Sequence, residues 1–379
     1  MKPIYLDFNA STPIAPEVAA AMRPLLSEAF GNPSSLHWAG APGKAALEAA
    51  RAEVAALIDA TPAEIVFTSG GSEASNLAIK GALLSARDSG RNHIVTTTVE
   101  HPATLEPCRF LEGLGAKVTR VSVDATGLVD PDGVRRAMTN RTCLVSVMHA
   151  NNEVGTIEPI AAIADIAHAG GALMHTDAAQ SLGKISVNVD DLKVDLLTIA
   201  GHKLYAPKGI GALYVRHGVR LEPLIHGAGH EGGRRAGTES ALMATALGAA
   251  SALAARLGPM RDIERLRDRL WDGLRRAFGT GVALNGHPTL RLPNTLNVSF
   301  VGQEGAAILG RLEGVAASTG SACHAGRVEL SPVLAAMGVS ERVGMGAIRF
   351  SLGRTTTEAE IDAVVERLTA ILAPQRRAG

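Results

Sequence analysis

From Ile65 to Val215, short apolar runs recur along the chain, each followed by a turn and then a stretch whose apolar residues fall at helical spacing. The runs are IVFTS at Ile65, HIVTTT at His93, AKVTRVSV at Ala116, CLVSVMH at Cys143, ALMHT at Ala172 and VDLLTIA at Val194. Between them, helices are expected over GGSEASNLAIKGALLSA, Ala103 to Leu114, Pro131 to Met138 and Ile160 to His168. Alternation of this kind predicts an α/β unit, a mostly parallel sheet with helices on both faces. GALYV, Gly211 to Val215, follows too soon for a helical crossover and is expected as an antiparallel member of the same sheet.

The flanks have a different pattern. A short strand, Ile4 to Leu6, leads through ASTP to a helix opened by Pro16 and running to about Ala29. The loop GNPSSLHWAG and a second helix to about Asp59 follow. Beyond GHEGGRRAGTES comes a helical region from Ala241 to Phe278, broken near Gly258 and Pro259. Two strands, TLNVSFV and AIRFSL, and helices near Glu304 to Leu312 and Thr357 to Leu372 then suggest a smaller α+β unit. The expected division is a large domain over 15–257 and a small one formed by 1–14 with 258–379. The N-terminal helices are expected to pack against the small unit.

Composition narrows the function classes. Across 379 residues, 46% are hydrophobic and 20% charged, which suits a folded globular protein rather than a disordered one. Lys and Arg together number 37 and so do Asp and Glu, so no net field gathers nucleic acid or anionic membrane, and neither is expected as a partner. Cys108, Cys143 and Cys323 lie far apart without metal-ligand spacing, which points to a reduced, cytoplasmic setting and no metal. MKPIYLDFNA lacks the apolar core of a signal peptide, and the Ala-rich stretch Ala241 to Leu257 is too short for a membrane span and reads as a core helix.

Candidate chemistry collects where the apolar runs end, the edge at which open α/β sheets carry their sites. TSGGSEASN puts glycines and Ser72 between a strand and a helix, either as an anion cradle or as an ordinary helix cap at Ser72. His101, after HIVTTT, is suited to stack on a flat ring or to move a proton, or is a solvated loop residue. Asn152 and Asp177 follow the next runs. A carboxylate so placed needs a cation or N–H partner, and helix capping by Asp177 is the competing reading. VDLLTIA delivers His202 and Lys203 through Gly201, and desolvation at such a strand end favours a neutral, nucleophilic amine, against the alternative of a surface lysine. Cradle, imidazole, aspartate and lysine on one sheet are together the parts that hold pyridoxal phosphate. Cys323 stands in a loop of small residues beside His324 and Arg327, which are able to favour a thiolate, against the alternative of a buried structural cysteine, and Arg349 in AIRFSLGR is able to grip a carboxylate or a structural acid.

The motifs YLDFNASTP, FGNPSS, FTSGGSEASNLAIKG, VEHPA, ANNEVGTI, HTDAAQSLGK, AGHKLYAPKGIGALYVR, GAGHEGGRRAGTES, GSACH and IRFSLGRTTTEAEID, from about Tyr5 to Asp362, resemble the cysteine desulfurases, in the class V aminotransferase group of pyridoxal-phosphate enzymes. The resemblance implies the fold type I, aspartate-aminotransferase-like architecture: a large domain with a mostly parallel seven-stranded sheet, a smaller α+β domain, and a homodimer with active sites at its interface. It implies Lys203 as the Schiff-base lysine, His101 over the cofactor ring, Asp177 at the ring nitrogen, Gln180 at the phenolic oxygen and Asn152 at a cofactor-contacting position. Gly71, Ser72 and His202 would hold the phosphate, with Thr238 reaching in across the dimer. Arg349, helped by Asn32, would bind the carboxylate of L-cysteine, and Cys323 would take the sulfur as a persulfide for a sulfur-acceptor protein or scaffold, as in iron–sulfur cluster assembly. Three features depart from the common pattern, the smallest being GAGHE in place of GGGHE. Ala200 stands where many of these enzymes have a hydroxyl residue, which removes one phosphate hydrogen bond. GSACH followed by SPVL is similar to selenocysteine lyases, so L-selenocysteine is an alternative substrate, and an inactive scaffold of the same fold is a remote third reading.

Overall fold

The computed structural model describes the backbone of residues 3–319, 322–324 and 327–372, with side chains throughout except at 322–324, 327 and 328. In chain order the elements begin with β1 (Ile4–Tyr5), α1 (Pro16–Met22), α2 (Ala41–Leu57), β2 (Ile65–Thr68), α3 (Gly71–Ser85), β3 (His93–Thr97), α4 (Pro102–Gly113), β4 (Lys117–Val121), α5 (Pro131–Ala137), β5 (Thr142–Ser146), α6 (Ile160–Ala169), β6 (Leu173–Asp177), β7 (Leu196–Ala200) and β8 (Gly211–Val215). There follow α7 (Ala241–Ala254), α8 (Pro259–Phe278), β9 (Val282–Asn285), β10 (Thr295–Phe300), α9 (Gly305–Arg311), β11 (Val315–Ala316), β12 (Ser318–Thr319), β13 (Ala322–His324), β14 (Arg327–Glu329), α10 (Pro332–Ala336), α11 (Glu341–Gly344), β15 (Ala347–Ser351) and α12 (Glu358–Leu372).

Seven strands form the central sheet in the order β2-β8-β7-β6-β5-β3-β4. β8 runs antiparallel to both β2 and β7, and the other pairings are parallel. The C-terminal ends of β2, β3, β5, β6 and β7 therefore share one edge, as the expected α/β pattern requires. β2 and β3 are not neighbours, so the Gly-rich turn and His101 meet above the sheet rather than side by side within it. Within the sheet one chain of polar groups crosses the buried layer: Ser75 Oγ lies 3.1 Å from Thr198 Oγ1, which lies 3.0 Å from His175 Nε2, and His175 Nδ1 lies 2.8 Å from Ser146 Oγ. Each buried polar atom in this chain has a partner, which removes the cost of its desolvation.

α1 and α2 lie on the sheet side, not on the small unit as expected. Ala15, Val18, Leu47 and Val54 belong to the same apolar cluster as β2, β5, β6 and β7 residues, together with Ala244, Leu247 and Ala250 of α7. A Cβ on Gly248 would come within 2.7 Å of the Ala50 Cα, so only glycine permits this close crossing of α7 over α2. α1 is also shorter than its pattern suggests. Pro24 interrupts its continuation, and the chain tightens into a 3₁₀ turn over Arg23–Leu26.

A second cluster joins the two chain ends. Ile4 and Leu6 pack with Met260, Leu270, Phe300, Ile348, Phe350 and Leu368. There β12, β15, β10 and β9 form an antiparallel sheet, and β1 pairs in parallel with β11. No single helix among the described residues is long and apolar enough to cross a membrane.

Candidate active site

The shared edge of the sheet opens into a cavity of about 660 Å³, whose walls include Asn9, Gly71, Ser72, His101, Asn152, Asp177, Gln180, His202, Lys203 and Arg349. That size suits a cofactor together with a small substrate.

The cavity floor near β2 is a backbone cradle. Gly70, at φ +156°, caps α3, so the N–H groups of the first turn, at Gly71 and Ser72, face no intrahelical carbonyl. Ser72 is thus within the helix and not its cap, which removes the capping alternative. A Cβ on Gly71 would sit 3.1 Å from the Ala200 Cβ, so the cradle presses directly on the end of β7 at the residue that departs from the common pattern. Glu73 points its charge away from anion duty: it accepts the Ser69 N–H at 2.7 Å and pairs with Arg235 at 2.9 Å. The His202 Nδ1 is buried without a partner among the described residues, and burial, then Lys203 and Lys208, push its pKa down to about 4. A neutral imidazole with a spare nitrogen is suited to an anion's hydrogen bond.

Lys203 ends a 3₁₀ turn, Gly201–Lys203, just past β7. Its Nζ donates to the carbonyls of Asn9 and, at 2.8 Å, Ala10. Burial and then Arg349 lower its pKa to about 8, with Asp177 and Asp7 acting in the opposite sense. The lysine is half-buried in the cavity wall, which sets aside the surface reading.

Asp177 closes β6. Its carboxyl accepts the Ala179 N–H at 2.9 Å, so the capping alternative is partly met, by a tight turn rather than a helix. Burial raises its pKa, opposed by that N–H and then by His101 and Lys203. The carboxyl still lines the cavity, where a cationic partner would hold it ionised. His101 caps α4, its Nδ1 accepting the Ala103 N–H at 3.0 Å, which leaves the proton on Nε2 and fixes the ring. Burial lowers its pKa, opposed by Asp177 and reinforced by Lys203.

Arg349, in the middle of β15, donates to Asp7 at 2.7 Å and to the Asn152 carbonyl at 3.0 Å, and its Nε is buried without a partner among the described residues. The side chain also lines the cavity, beside the space a ligand would fill. Asn32 and Thr238 are not brought to this cavity within one chain. Asn32 is exposed, with Oδ1 accepting the Ser34 N–H, and Thr238 lines a neighbouring cleft with Glu239 and Met243. The backbone of Cys323 lies on β13, paired with β14, and its side chain lies outside the described residues.

Three residues of the site escape sequence reasoning. Asn9 is almost fully buried and uses every polar atom: N–H to Ser351, Nδ2 to Asn152 and Thr295, Oδ1 from Lys184 and Asn294, and its carbonyl from Gln180 and Lys203. Asp7 holds Arg349, and Lys184 is a buried amine beside Gln180. The available signals were a polar Asp-Phe-Asn directly after a strand and the lysine closing HTDAAQSLGK.

The aminotransferase class-V family model matches residues 4–364. The chain is 47% identical to cysteine desulfurase IscS of Dictyoglomus turgidum, covering 97% of this chain and 94% of that one. It is 45% identical to cysteine desulfurase IscS of Methanosarcina thermophila, covering 98% and 92%. Among solved structures, a NifS-like protein superposes with a TM-score of 0.91 at 36% identity, over 98% of this chain and 99% of that one. SspA in complex with cysteine superposes at 0.82 and 36% identity, over 93% and 100%.

Proposed function

Since the chain belongs to the aminotransferase class-V family and, within it, to the pyridoxal-phosphate-dependent cysteine desulfurases of fold type I, we propose that Lys203, Asp177 and His101 run that reaction in the cavity described, with Cys323 receiving the sulfur. The observation that carries the assignment is the meeting of one depressed amine, one buried carboxyl, one fixed imidazole and a backbone anion cradle in a single cavity.

The residues present fit the cofactor. The cradle at Gly71 and Ser72, with the orphaned nitrogen of His202, suits its phosphate. Asp177 suits a protonated ring nitrogen, and the pair neutralises a charge that burial alone would penalise. Gln180 and Asn152 suit its polar edge, and Lys203 its aldehyde. When bound, the group supplies an electron sink that eases proton loss next to the amino group and cleavage of the Cβ–S bond.

This chain's own residues do the rest. Lys203, half-neutral near pH 8, is an amine able to give and take the α-proton. The Asn9 and Ala10 carbonyls hold that amine at a fixed place in the wall when it is not bonded to the cofactor. Arg349, which lines the cavity, orients the substrate carboxylate. His101 keeps its Nε2–H toward the cavity because its Nδ1 is occupied as a helix cap. Cys108 and Cys143 are unsuited to receive sulfur: both are buried, and burial raises their pKa to about 12 and about 11. That leaves Cys323.

We also infer a homodimer. Phe30 (77%), Leu36 (102%) and Trp38 (81%) stand exposed together in the loop that carries Asn32, a surface suited to a second copy. A second copy there would bring Asn32 and Thr238 of the partner subunit to the cavity. A cytoplasmic setting and delivery of sulfur to an acceptor of the kind used in iron–sulfur cluster assembly follow from the same reading, supported by relatives that carry the IscS name.

The assay that tests substrate choice compares kcat/KM for L-cysteine and L-selenocysteine while counting alanine formed. The account expects efficient turnover of L-cysteine, with one alanine for each sulfur released. Turnover confined to L-selenocysteine would replace this reading with the lyase one.

A further inference from the structure

Lys184 is a buried amine that none of the roles above uses. Its Nζ donates to Gln180 Oε1 at 2.7 Å and to Asn9 Oδ1 at 3.2 Å. Among the described residues both partners are amide oxygens, and neither is a carboxylate. A buried lysine without an acid is costly, so a bare structural role would be better served by an apolar side chain of the same length. Burial, Lys203 and Arg349 all hold its proton affinity well below the ordinary lysine range. The other charges on this network are Asp177 and Asp7, which act on Lys203.

The geometry gives the amine a task. Gln180 donates one N–H to the Asn9 carbonyl at 3.0 Å, while its Oε1 receives Lys184. A flipped Gln180 amide would set its NH₂ against the lysine donors and its oxygen against the Asn9 carbonyl, so both ends reject it. Asn9 is locked in the same way, with Oδ1 accepting from Lys184 and Asn294 and Nδ2 donating to Thr295 at 2.8 Å and to the Asn152 carbonyl. The orientation so fixed leaves the second Gln180 N–H for a ligand in the cavity.

We propose that Lys184 is a positioning residue: by donating to both amide oxygens it locks the Gln180 and Asn9 side chains, and so holds Gln180 in the one orientation that presents an N–H to the cofactor's phenolic oxygen. This rests on the Gln180 role proposed above. A donor at the phenolic oxygen competes for it with the proton beside the Lys203 nitrogen, so loss of that donor strengthens the hold on the proton.

The readout is the pH midpoint of the yellow absorbance of the holoenzyme, which does not depend on turnover. Gln180→Leu and Lys184→Met are each expected to raise that midpoint by about half a unit to one unit. The double variant is expected to shift no further than Gln180→Leu alone, because the lysine acts through the glutamine. Lys184→Gln retains a donor and is expected to stay near the wild-type midpoint, a comparison that stands even where the methionine variant does not fold. An unchanged midpoint in Lys184→Met, a full additional shift in the double variant, or a full shift in Lys184→Gln each overturns the proposal. An unchanged midpoint in Gln180→Leu overturns it too, and identifies the Gln180 contact, not Lys184, as the failed step.

Discussion

At the scale of single residues, the site is a set of groups that burial has moved off their ordinary protonation. Lys203 is the sharpest case. Burial and Arg349 disfavour its charge, while Asp177 and Asp7 restore part of it, and the balance lies at about 8. Acylation of Lys203 in the apoprotein, followed by peptide mass spectrometry, should accordingly rise through a midpoint near pH 8. Arg349→Gln removes a neighbouring cation and should move that midpoint up, whereas Asp7→Asn removes an anion and should move it down. A midpoint in the ordinary lysine range, unmoved by either change, would show an amine in solvent. The sequence made Lys203, Asp177 and His101 legible because each follows an apolar run that had to be a buried strand. Asn9 and Lys184 were hidden for a physical reason: their meaning lies in hydrogen bonds to residues 171 and 4 positions away, and the spacing of apolar residues carries no trace of an amide's orientation.

At the scale of elements, the cradle depends on a distant anchor. The Glu231 carboxylate accepts two N–H bonds from Arg51 at 2.7 Å each and a third from the Phe67 backbone at 2.7 Å, one residue before β2 ends. Glu231 holds this position at φ +50°, a left-handed backbone that a non-glycine residue adopts only when its contacts repay the strain. It thereby ties the loop bearing Thr238 to the strand that feeds Gly71. Glu231→Gln leaves Arg51 short of its counter-charge and should lower unfolding free energy by about 3 kcal/mol. Denaturant unfolding measures this, and a loss below about half a kcal/mol would show the pair to be a surface-type contact. The alternation of strands and helices was readable from pattern, including the antiparallel β8. The pairing of β1 with β11 was not, because it joins positions more than three hundred residues apart, and neither was the packing of α1 and α2 on α7, which depends on the close approach at Gly248.

At the scale of the whole molecule, the proposed site is one that a single chain fills only in part. Asn32 and Thr238 stand away from the cavity, and the aromatic loop beside Asn32 is uncovered. Trp38→Asp should therefore convert a dimer into a monomer in sedimentation velocity and weaken pyridoxal-phosphate binding by at least about tenfold, the loss of one or two hydrogen bonds to a charged group. A wild-type protein that sediments as a monomer with full cofactor affinity would refute the shared site. In the proposed function, the chemistry that separates this protein from other enzymes of its fold rests on a single thiol, Cys323. Cys108 and Cys143 are buried and held as thiols, which supports Cys323 as the proposed acceptor of the substrate's sulfur. The most direct test is to mix the holoenzyme with one equivalent of L-cysteine in the absence of reductant and weigh its peptides. The account predicts one alanine per site and a Cys323 peptide heavier by one sulfur atom. Alanine formed at the full rate by Cys323→Ala, with no sulfur carried at position 323 in the wild type, would contradict it.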